Sequence, residues 1–361
     1  MALESFFLSY VSLPIFLVGV FVIATRQGDS GYAEWVGRLV TFCLFFLVFG
    51  LRSVDSGVDT FGYRNSFDSG LVGEDVSSDL GFQIVADFVS LFSKDSKVFV
   101  LVLFLMQYAI LICACATLKI RSLAYYLVVF ILFLPGFDLF SNTVRQGVSV
   151  AFGFLAIALI LRRRFVASFP VLVLACGLHS SAFMYFLLYP LLFSTRRALH
   201  FGFYAIPVVF FSTNYVDLSL ASFLNSLGLP GLLGDLVAKL YNYESYVDGR
   251  MSGSIKLYLF LVFYLPLVGV FSFLYKDKPF EAFDVVLGFY VLVLLVYAVI
   301  SKGTFSFRLL YLIYPVCVLF ICCLVERMSF GWRTGLSMYV IGSGVLVLNA
   351  THMGAYKVLI D

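Results

Sequence analysis

The chain has 361 residues, of which 62% are hydrophobic and only 12% are charged. In a soluble domain about a quarter of the residues are charged, so this composition excludes a soluble protein and indicates an all-α polytopic membrane protein. The net charge of +3 is spread over the connections between apolar runs and gives no indication of nucleic-acid binding.

Apolar runs that approach the length of a membrane span follow one another along the whole chain. A span requires about 20 apolar residues, and by this measure we predict about twelve transmembrane helices in a single integral membrane domain. Three runs are short for a span and predict broken or re-entrant helices, which a membrane tolerates only where protein or water satisfies the backbone: 165–178, 181–195 and 200–212. The runs cover residues 5–25, 33–51, 98–117, 122–140, 143–161, 165–178, 181–195, 200–212, 256–275, 283–300, 308–325 and 334–351 of the domain, which extends over residues 1–361.

The cysteines give no sign of a disulfide framework or a metal site. All seven lie inside apolar runs, where a thiol usually acts as a small packing group. We therefore expect neither a bound metal ion nor a cofactor.

The basic residues of the short connections determine the predicted orientation. Short cytoplasmic loops are enriched in Lys and Arg, so the cluster 162–164 is placed inside and both termini are placed outside. Two long segments, 52–97 and 213–256, then become extracytoplasmic loops, and the first carries eight acidic against four basic residues. Within them, 80–92 and 218–240 have apolar residues near helical spacing. They predict short amphipathic helices that lie on the membrane surface, cover a substrate as a lid or pack on the bundle.

Four groups of polar residues lie where predicted helices meet the outer surface. Ionisable residues at this depth are costly and usually functional. A lone Arg at a helix end is also typical of an interfacial anchor, and a lone His of a hydrogen-bonded surface residue. Arg145 opens its helix, where its charge adds to the positive end of the helix dipole, an arrangement suited to anion binding. The groups are Arg52 with Asp55, Asp59 and Tyr63; Arg145 with Gln146; His179 with Ser180 and Ser181; and Arg308 with Tyr311.

The same residues form an ordered set of motifs. The motifs are R-x6-D-x3-Y at Arg52, Asp59 and Tyr63; RQG at Arg145, Gln146 and Gly147; HSSA from His179 to Ala182; and R-x2-Y at Arg308 and Tyr311. In order and approximate spacing, over most of the chain, the set resembles the EpsG-type branch of the Wzy polysaccharide polymerases. Segment 213–256 has no counterpart in that pattern.

This resemblance implies a GT-C-like helical bundle in the bacterial inner membrane, with its active site facing the periplasm. It implies inverting-type transfer of a growing chain from undecaprenyl pyrophosphate to a new lipid-linked oligosaccharide repeat unit, as in O-antigen, lipopolysaccharide, capsule or exopolysaccharide synthesis. The implied partners are the undecaprenyl-pyrophosphate-linked oligosaccharide and the lipid bilayer, with a polysaccharide chain-length regulator as a candidate partner.

The chemistry of such a transfer suggests a role for each group. A pyrophosphate leaving group at the membrane surface requires cations held at that depth, and the fork of an Arg side chain matches phosphate oxygens. The acceptor hydroxyl requires a base, for which a neutral His179 is preferred and Asp59 is the alternative. The residues assigned to substrate and pyrophosphate binding are Arg52, Arg145, Arg308, Tyr63, Gln146 and Tyr311.

Other functions stay open at the level of sequence. Asp55 and Asp59 lie in an outer loop and offer two carboxylates for a divalent cation, which would make the protein a metal-dependent transferase. A ligase that uses a different acceptor would have a similar scaffold. A flippase or other transporter would need charged residues near mid-membrane, whereas the interiors of the runs are nearly free of charge.

Overall fold

A computed structural model of the chain describes residues 31–51, 58–70, 79–120, 122–193, 196–215, 253–274, 281–300, 306–327 and 337. Within these ranges the chain is helical and contains no strand. The described part therefore has the all-α architecture that the composition predicts.

Helices of different length and type follow one another in the described ranges. The α-helices are α1 (Gly31–Phe45), α2 (Val58–Asp68), α3 (Leu80–Ser90), α4 (Ser96–Leu118), α5 (Leu123–Leu132), α6 (Leu134–Ser141), α7 (Val144–Leu161), α8 (Phe165–Leu178), α9 (Arg196–Tyr215), α10 (Gly253–Gly269), α11 (Glu281–Ile300) and α12 (Leu310–Arg327). Wider π-turns extend α1 and α10 at Phe46–Gly50 and Val270–Leu274, and tighter 3-10 segments occupy Ser180–Leu188, Pro190–Phe193 and Ser306–Leu309.

Four helical segments in the described ranges are long and apolar enough to cross a membrane, and a fifth is present if α5 and α6 together form one bent span. The four are Ser96–Leu118, Val144–Leu161, Ala282–Val299 and Phe307–Arg327. Every predicted apolar run that falls on described residues is helical. The run 5–25, and the run 334–351 apart from Ser337, lie outside the described residues. The total of twelve spans therefore stays a prediction.

The prediction of one continuous helix over 122–140 is wrong. α5 ends at Leu132, Phe133 is extended with φ −98° and ψ 147°, and α6 begins at Leu134 in a different direction. Pro135 lies in the first turn of α6, where its missing N–H and fixed φ are accommodated. The same ring would clash with the carbonyl of a preceding helical turn, which favours a break before it. Proline alone does not decide this, because other helices of the chain have one in their interior, at Pro170, Pro207, Pro266 and Pro315.

The short runs after residue 165 behave differently from one another. α8 has 14 residues and is followed directly by the 3-10 segment Ser180–Leu188, so the break predicted in this region is confirmed. The hydrogen-bond geometry of a 3-10 helix is poorer than that of an α-helix, so most 3-10 segments are short. This one has nine residues and is unusually long. α9 has 20 residues and is longer than the run at 200–212 predicts.

The described residues form two compact units. The first contains the residues up to Met184 together with Ile321–Arg327 and Ser337. Its core is rich in aromatic side chains, with Phe140 in ring contact with Phe45, Phe104 and Phe130. α5 runs through this core, and all of its residues are buried.

The second unit contains the described residues from Tyr185 to Phe320. Ring stacking joins α9 to α10, where the centroids of Phe210 and Phe260 are 4.0 Å apart. Buried tyrosine hydroxyls find backbone acceptors, since Tyr185 donates to the Leu312 carbonyl at 2.8 Å and Tyr290 donates to the Phe263 carbonyl at 2.8 Å. These bonds remove the penalty for burying a hydroxyl group.

In the first unit, α7 packs against both α4 and α8. The Ser149 hydroxyl on α7 donates to the Ala175 carbonyl on α8 at 2.8 Å. At the C-terminal end of α7, Arg162 donates to the Thr117 and Leu118 carbonyls at 2.8 and 2.9 Å and so satisfies the last turn of α4. The basic cluster and Arg145 therefore lie at opposite ends of one helix, about 25 Å apart.

The prediction of a helix within 80–92 is confirmed by α3, which packs on the C-terminal end of α8. A Cβ added to Gly81 would lie 2.8 Å from the carbonyl carbon and oxygen of Gly177, so the two backbones are in direct contact. One face of α3 is buried in the unit through Phe82, Ala86 and Val89. The opposite face is apolar and exposed, a property expected of a helix at a membrane surface. Its residues are Leu80, Ile84 and Phe88, followed by Leu91 and Phe92 after the helix.

Replacing Gly81 by Ala is expected to weaken the docking of α3 on α8. Backbone atoms of Gly177 cannot rotate away from the added methyl group, so we expect the free energy of unfolding to fall by about 1–3 kcal/mol. The measurement is the midpoint of thermal unfolding in detergent. Gly62→Ala in α2 is the matched control, because a Cβ there meets nothing within 4 Å. Equal midpoints for the two variants would contradict the prediction.

Candidate functional site

Arg145 is the second residue of α7, and its side chain is only 17% exposed. Its Nη1 lies 3.1 Å from Oδ2 of Asp79, a residue whose side chain is 7% exposed. The contact is an ion pair without hydrogen-bond alignment, because Nη1 and Nε of Arg145 are both buried and make no hydrogen bond within the described residues. The guanidinium group thus has a partner for its charge but retains two unused donors.

Two aromatic rings complete the surroundings of the guanidinium group. Its central carbon lies 5.7 Å from the ring centroid of Tyr63 and 5.5 Å from that of Phe82. The two rings contact each other at a centroid distance of 5.3 Å. Cations over aromatic faces at this distance are stabilised by about 0.5–2 kcal/mol, so the rings offset part of the cost of burying the guanidinium group.

Asp79 immediately precedes α3, where an Asp normally caps the helix through its side chain. Its backbone carbonyl accepts from the N–H groups of Phe82 and Gln83, but its carboxylate makes no capping bond. The carboxylate instead accepts a hydrogen bond from the backbone N–H of Ser180. Burial raises the pKa of the Asp79 carboxyl group, and Arg145 and the Ser180 N–H, which favour the ionised form, offset this only in part.

His179 follows the last residue of α8 and has an extended backbone, with φ −159° and ψ 128°. Its Nδ1 accepts from the Ser181 N–H at 3.1 Å and lies 2.8 Å from the Ser181 hydroxyl oxygen. A backbone N–H can only donate, so Nδ1 carries a lone pair and the proton of the neutral ring is on Nε2. In this arrangement the imidazole presents an N–H donor rather than a basic nitrogen.

The segment before α7 is hydrogen-bonded to the start of α2. The Asp59 N–H donates to Oδ1 of Asn142 at 3.0 Å, and the Thr60 hydroxyl donates to the carbonyls of Ser141 and Asn142 at 3.1 and 3.2 Å. Asn142 in turn donates to Oδ1 of Asp138 at 3.2 Å. These bonds place the first turn of α2, which contains Asp59, beside the first turn of α7.

The glycine of the RQG motif lies where three elements meet. A Cβ on Gly147 would collide with the carbonyl oxygen of Leu139 and would lie 2.7 Å from both amide atoms of the Gln107 side chain. Gln146 beside it is 2% exposed. Gly147 therefore lets α6 and α4 approach the first turn of α7 closely.

The structure brings five of the predicted site residues into the first unit: Asp59, Tyr63, Arg145, Gln146 and His179. Tyr63 contacts Arg145, which is connected through Asp79 to the residue after His179, and Asp59 is bonded to the segment before α7. Arg52 lies outside the described residues, as does Asp55. Arg308 lies in the 3-10 segment Ser306–Leu309, and Tyr311, which is 1% exposed, lies in α12; both belong to the second unit. Within the described ranges, no three His, Cys, Asp or Glu side chains are grouped to hold a metal ion.

The sequence does not single out Asp79 or Phe82 as site residues, and it groups Ser181 with His179 without indicating a bond between them. Asp79 has the local pattern of a helix-capping residue, and Phe82 that of the buried face of an amphipathic helix. The sequence feature that could have indicated this bond is the pair of serines after His179. Ser181 is two residues after His179 and can donate its backbone N–H to the imidazole ring.

These features define an integral membrane protein with a largely buried arginine at the start of a helix, framed by aromatic rings and a single described carboxylate. The chain belongs to the EpsG family, whose family model matches residues 35–354. Membership indicates a polymerase-type role in membrane polysaccharide biosynthesis, associated with glycosyltransferase-like enzymes. No curated protein and no solved structure matches the chain significantly.

Replacing Asn142 by Ala is expected to loosen the attachment of α2 to the start of α7. The change leaves the Asp59 N–H and one Asp138 oxygen without their Asn142 partner, which typically costs about 1–3 kcal/mol. The measurement is the thermal unfolding midpoint of the purified protein. Asn65→Ala on the exposed side of α2 is the matched control and should unfold like the wild type. A normal midpoint for the Asn142 variant would show that these bonds contribute no net stability.

Proposed function

We propose that this protein is a polysaccharide polymerase of the bacterial inner membrane. It transfers a growing glycan from undecaprenyl pyrophosphate to the non-reducing end of a new lipid-linked repeat unit, with inversion, at the periplasmic face. Membership of the EpsG family supports the polymerase-type role. The observation that carries the proposal is the environment of Arg145, which has the properties of a site for a phosphate-containing group.

Two donors of the Arg145 guanidinium group are buried and make no hydrogen bond within the described residues. An unsatisfied buried donor costs about 1–3 kcal/mol, so a residue with a purely structural role would be expected to have better aligned partners. A pyrophosphate group supplies several acceptor oxygens and a negative charge. Arg145 lies in the first turn of α7, where the positive end of the helix dipole also attracts anions.

The surface next to this arginine suits a lipid. The exposed apolar face of α3 begins at Leu80, directly after the Asp79 that pairs with Arg145, and continues through Ile84 and Phe88. A polar site and an apolar stripe that start at neighbouring residues match an amphiphile with an anionic head and a long hydrocarbon tail. This favours a lipid-linked pyrophosphate over a water-soluble sugar phosphate as the donor.

The geometry of His179 changes the role we assign to it. With Nδ1 accepting from Ser181, the ring offers its Nε2–H, which suits a donor to a pyrophosphate or sugar oxygen. We therefore assign the base that accepts the proton of the acceptor hydroxyl to Asp59, beside the first turn of α7. The glycosidic bond forms as the bond to pyrophosphate breaks, and the charge that develops on the leaving group is stabilised by Arg145.

The remaining residues keep the roles that the motifs suggest. Arg52 and Arg308 provide further positive charge for the pyrophosphate, and Tyr63, Gln146 and Tyr311 provide further contacts to the substrate. A bundle of about twelve spans with a GT-C-like arrangement is the scaffold that we propose for them. The placement of Arg145 and Arg162 at opposite ends of α7 supports an outward-facing site, since the basic cluster is expected inside.

Replacing Arg145 by Lys is expected to reduce chain growth at least about 10-fold, because Lys retains the charge but lacks the planar fork of donors. Chain growth is measured with purified protein in nanodiscs, synthetic undecaprenyl-pyrophosphate oligosaccharide and products resolved as a ladder. The reaction contains a chelator, so that a ladder formed by the wild type also argues against a required metal ion.

Arg64→Lys is the matched control for this experiment. Arg64 forms an exposed ion pair with Asp68, four residues later on α2, at 3.3 Å, and such pairs contribute little to stability. The control should form the wild-type ladder. A wild-type ladder from the Arg145 variant would contradict the assignment, and no ladder from the wild type, even with divalent cations added, would contradict the proposed function.

The two roles considered for His179 predict different results for His179→Gln. The Gln side chain can place an N–H donor near the position of Nε2, so a donor role predicts that this variant retains a measurable fraction of turnover. His179→Ala is expected to lose about 100-fold or more, and Asp59→Asn a similar amount. If the Gln variant is as inactive as the Ala variant, the donor role is wrong.

A further inference from the structure

Asp79 is the one described carboxylate in contact with Arg145, and it does not perform the local task that its position suggests. It stands at the start of α3, yet its carboxylate makes no bond to the first turn of that helix. It contacts Arg145 of α7 at 3.1 Å and accepts the N–H of Ser180 after α8. One carboxylate therefore connects the start of α3, the start of α7 and the residues that follow α8.

The position of this carboxylate is fixed by backbone packing. Gly81, two residues after Asp79, is in direct backbone contact with Gly177, two residues before His179. The start of α3 and the end of α8 are thereby held against each other. Because Asp79 is 6% exposed, its carboxylate has little freedom to turn towards water.

The connection reaches the imidazole through a short turn. Ser180 gives its N–H to Asp79, and the next residue, Ser181, gives its N–H to Nδ1 of His179. Fixing Ser180 therefore fixes the peptide groups on both sides of it, and these determine where the ring of His179 lies. Arg145 contacts Oδ2 of the same carboxylate.

We propose that Asp79 is a positioning residue, whose carboxylate holds the Arg145 guanidinium group and the turn His179–Ser181 in a fixed relation to each other. It does not touch the reacting atoms. Its effect on catalysis rests on the proposed function, in which Arg145 binds the pyrophosphate and His179 donates to the substrate. Its effect on the geometry of the His179 turn is independent of that function.

The variant Asp79→Asn tests this role because it keeps the size of the side chain and removes the charge. Loss of the charge should leave the affinity for inorganic pyrophosphate unchanged or increased, since a negative group 3.1 Å from Arg145 has been removed. Misplacement of the two groups should lower kcat about 10- to 100-fold. If Asp79 contributes only to stability, the variant should have a lower unfolding midpoint but should not combine unchanged pyrophosphate affinity with a reduced kcat.

A second measurement does not depend on activity. The chain has three histidines, so isotope-labelled histidine gives a simple NMR spectrum in which His179 is assigned from His179→Gln. We expect Asp79→Asn to displace the ring signals of His179 and to leave those of His200 and His352 in place. Asp87→Asn, an exposed position on the same α3, is the matched control and should leave all signals in place.

The outcomes are separable. His179 signals that coincide with the wild type in Asp79→Asn would overturn the proposal, whatever the turnover. Should this variant not fold, Asp79→Glu retains the charge but moves the oxygens, and it should displace the same signals. Absence of polymer from the wild-type protein would refute the proposed function and leave the NMR comparison valid as a test of the positioning role.

Discussion

The ion pair between Arg145 and Asp79 is the contact on which the geometry of the site depends. Burying two charges costs several kcal/mol each, and their attraction offsets this only when the surroundings are well arranged. Among the described residues, the surroundings include two aromatic rings and the Ser180 N–H. Close backbone packing holds the elements around the pair, because a Cβ at Gly81 would meet the backbone of Gly177 and a Cβ at Gly147 would collide with the Leu139 carbonyl oxygen.

Sequence motifs identify one side of this pair and not the other. Arg145 stands out because its positive charge lies at the positive end of a helix dipole, which is unfavourable unless an anion binds there. His179 stands out as a polar residue between apolar runs. Asp79 is one of several acidic residues in its segment and has an adequate local explanation as a helix cap. Its actual partners come from helices distant in sequence, and they depend on how α3 packs. The spacing of apolar residues predicts that α3 is a helix. It does not predict that α3 packs against the C-terminal end of α8.

The same limit applies to the fold. Composition and apolar runs predict the helical class and the position of most helices, because each of these properties is local in sequence. The break at Phe133 cannot be predicted from Pro135 alone, because Pro170, Pro207, Pro266 and Pro315 lie inside helices of the same chain. The proton position on His179 is not accessible from sequence, because it depends on a backbone N–H two residues away adopting the right direction.

The shortness of α8 affects the depth at which the chemistry takes place. Its 14 residues extend for about 21 Å, whereas the hydrocarbon core of a bilayer is about 30 Å thick. If the basic cluster before α8 lies at the inner surface, His179 lies several ångströms below the level of the outer lipid headgroups. In the proposed reaction, a site at this depth would keep bulk water from competing with the acceptor hydroxyl. It would also require each new glycan end to dip into the membrane before the lengthened polymer emerges.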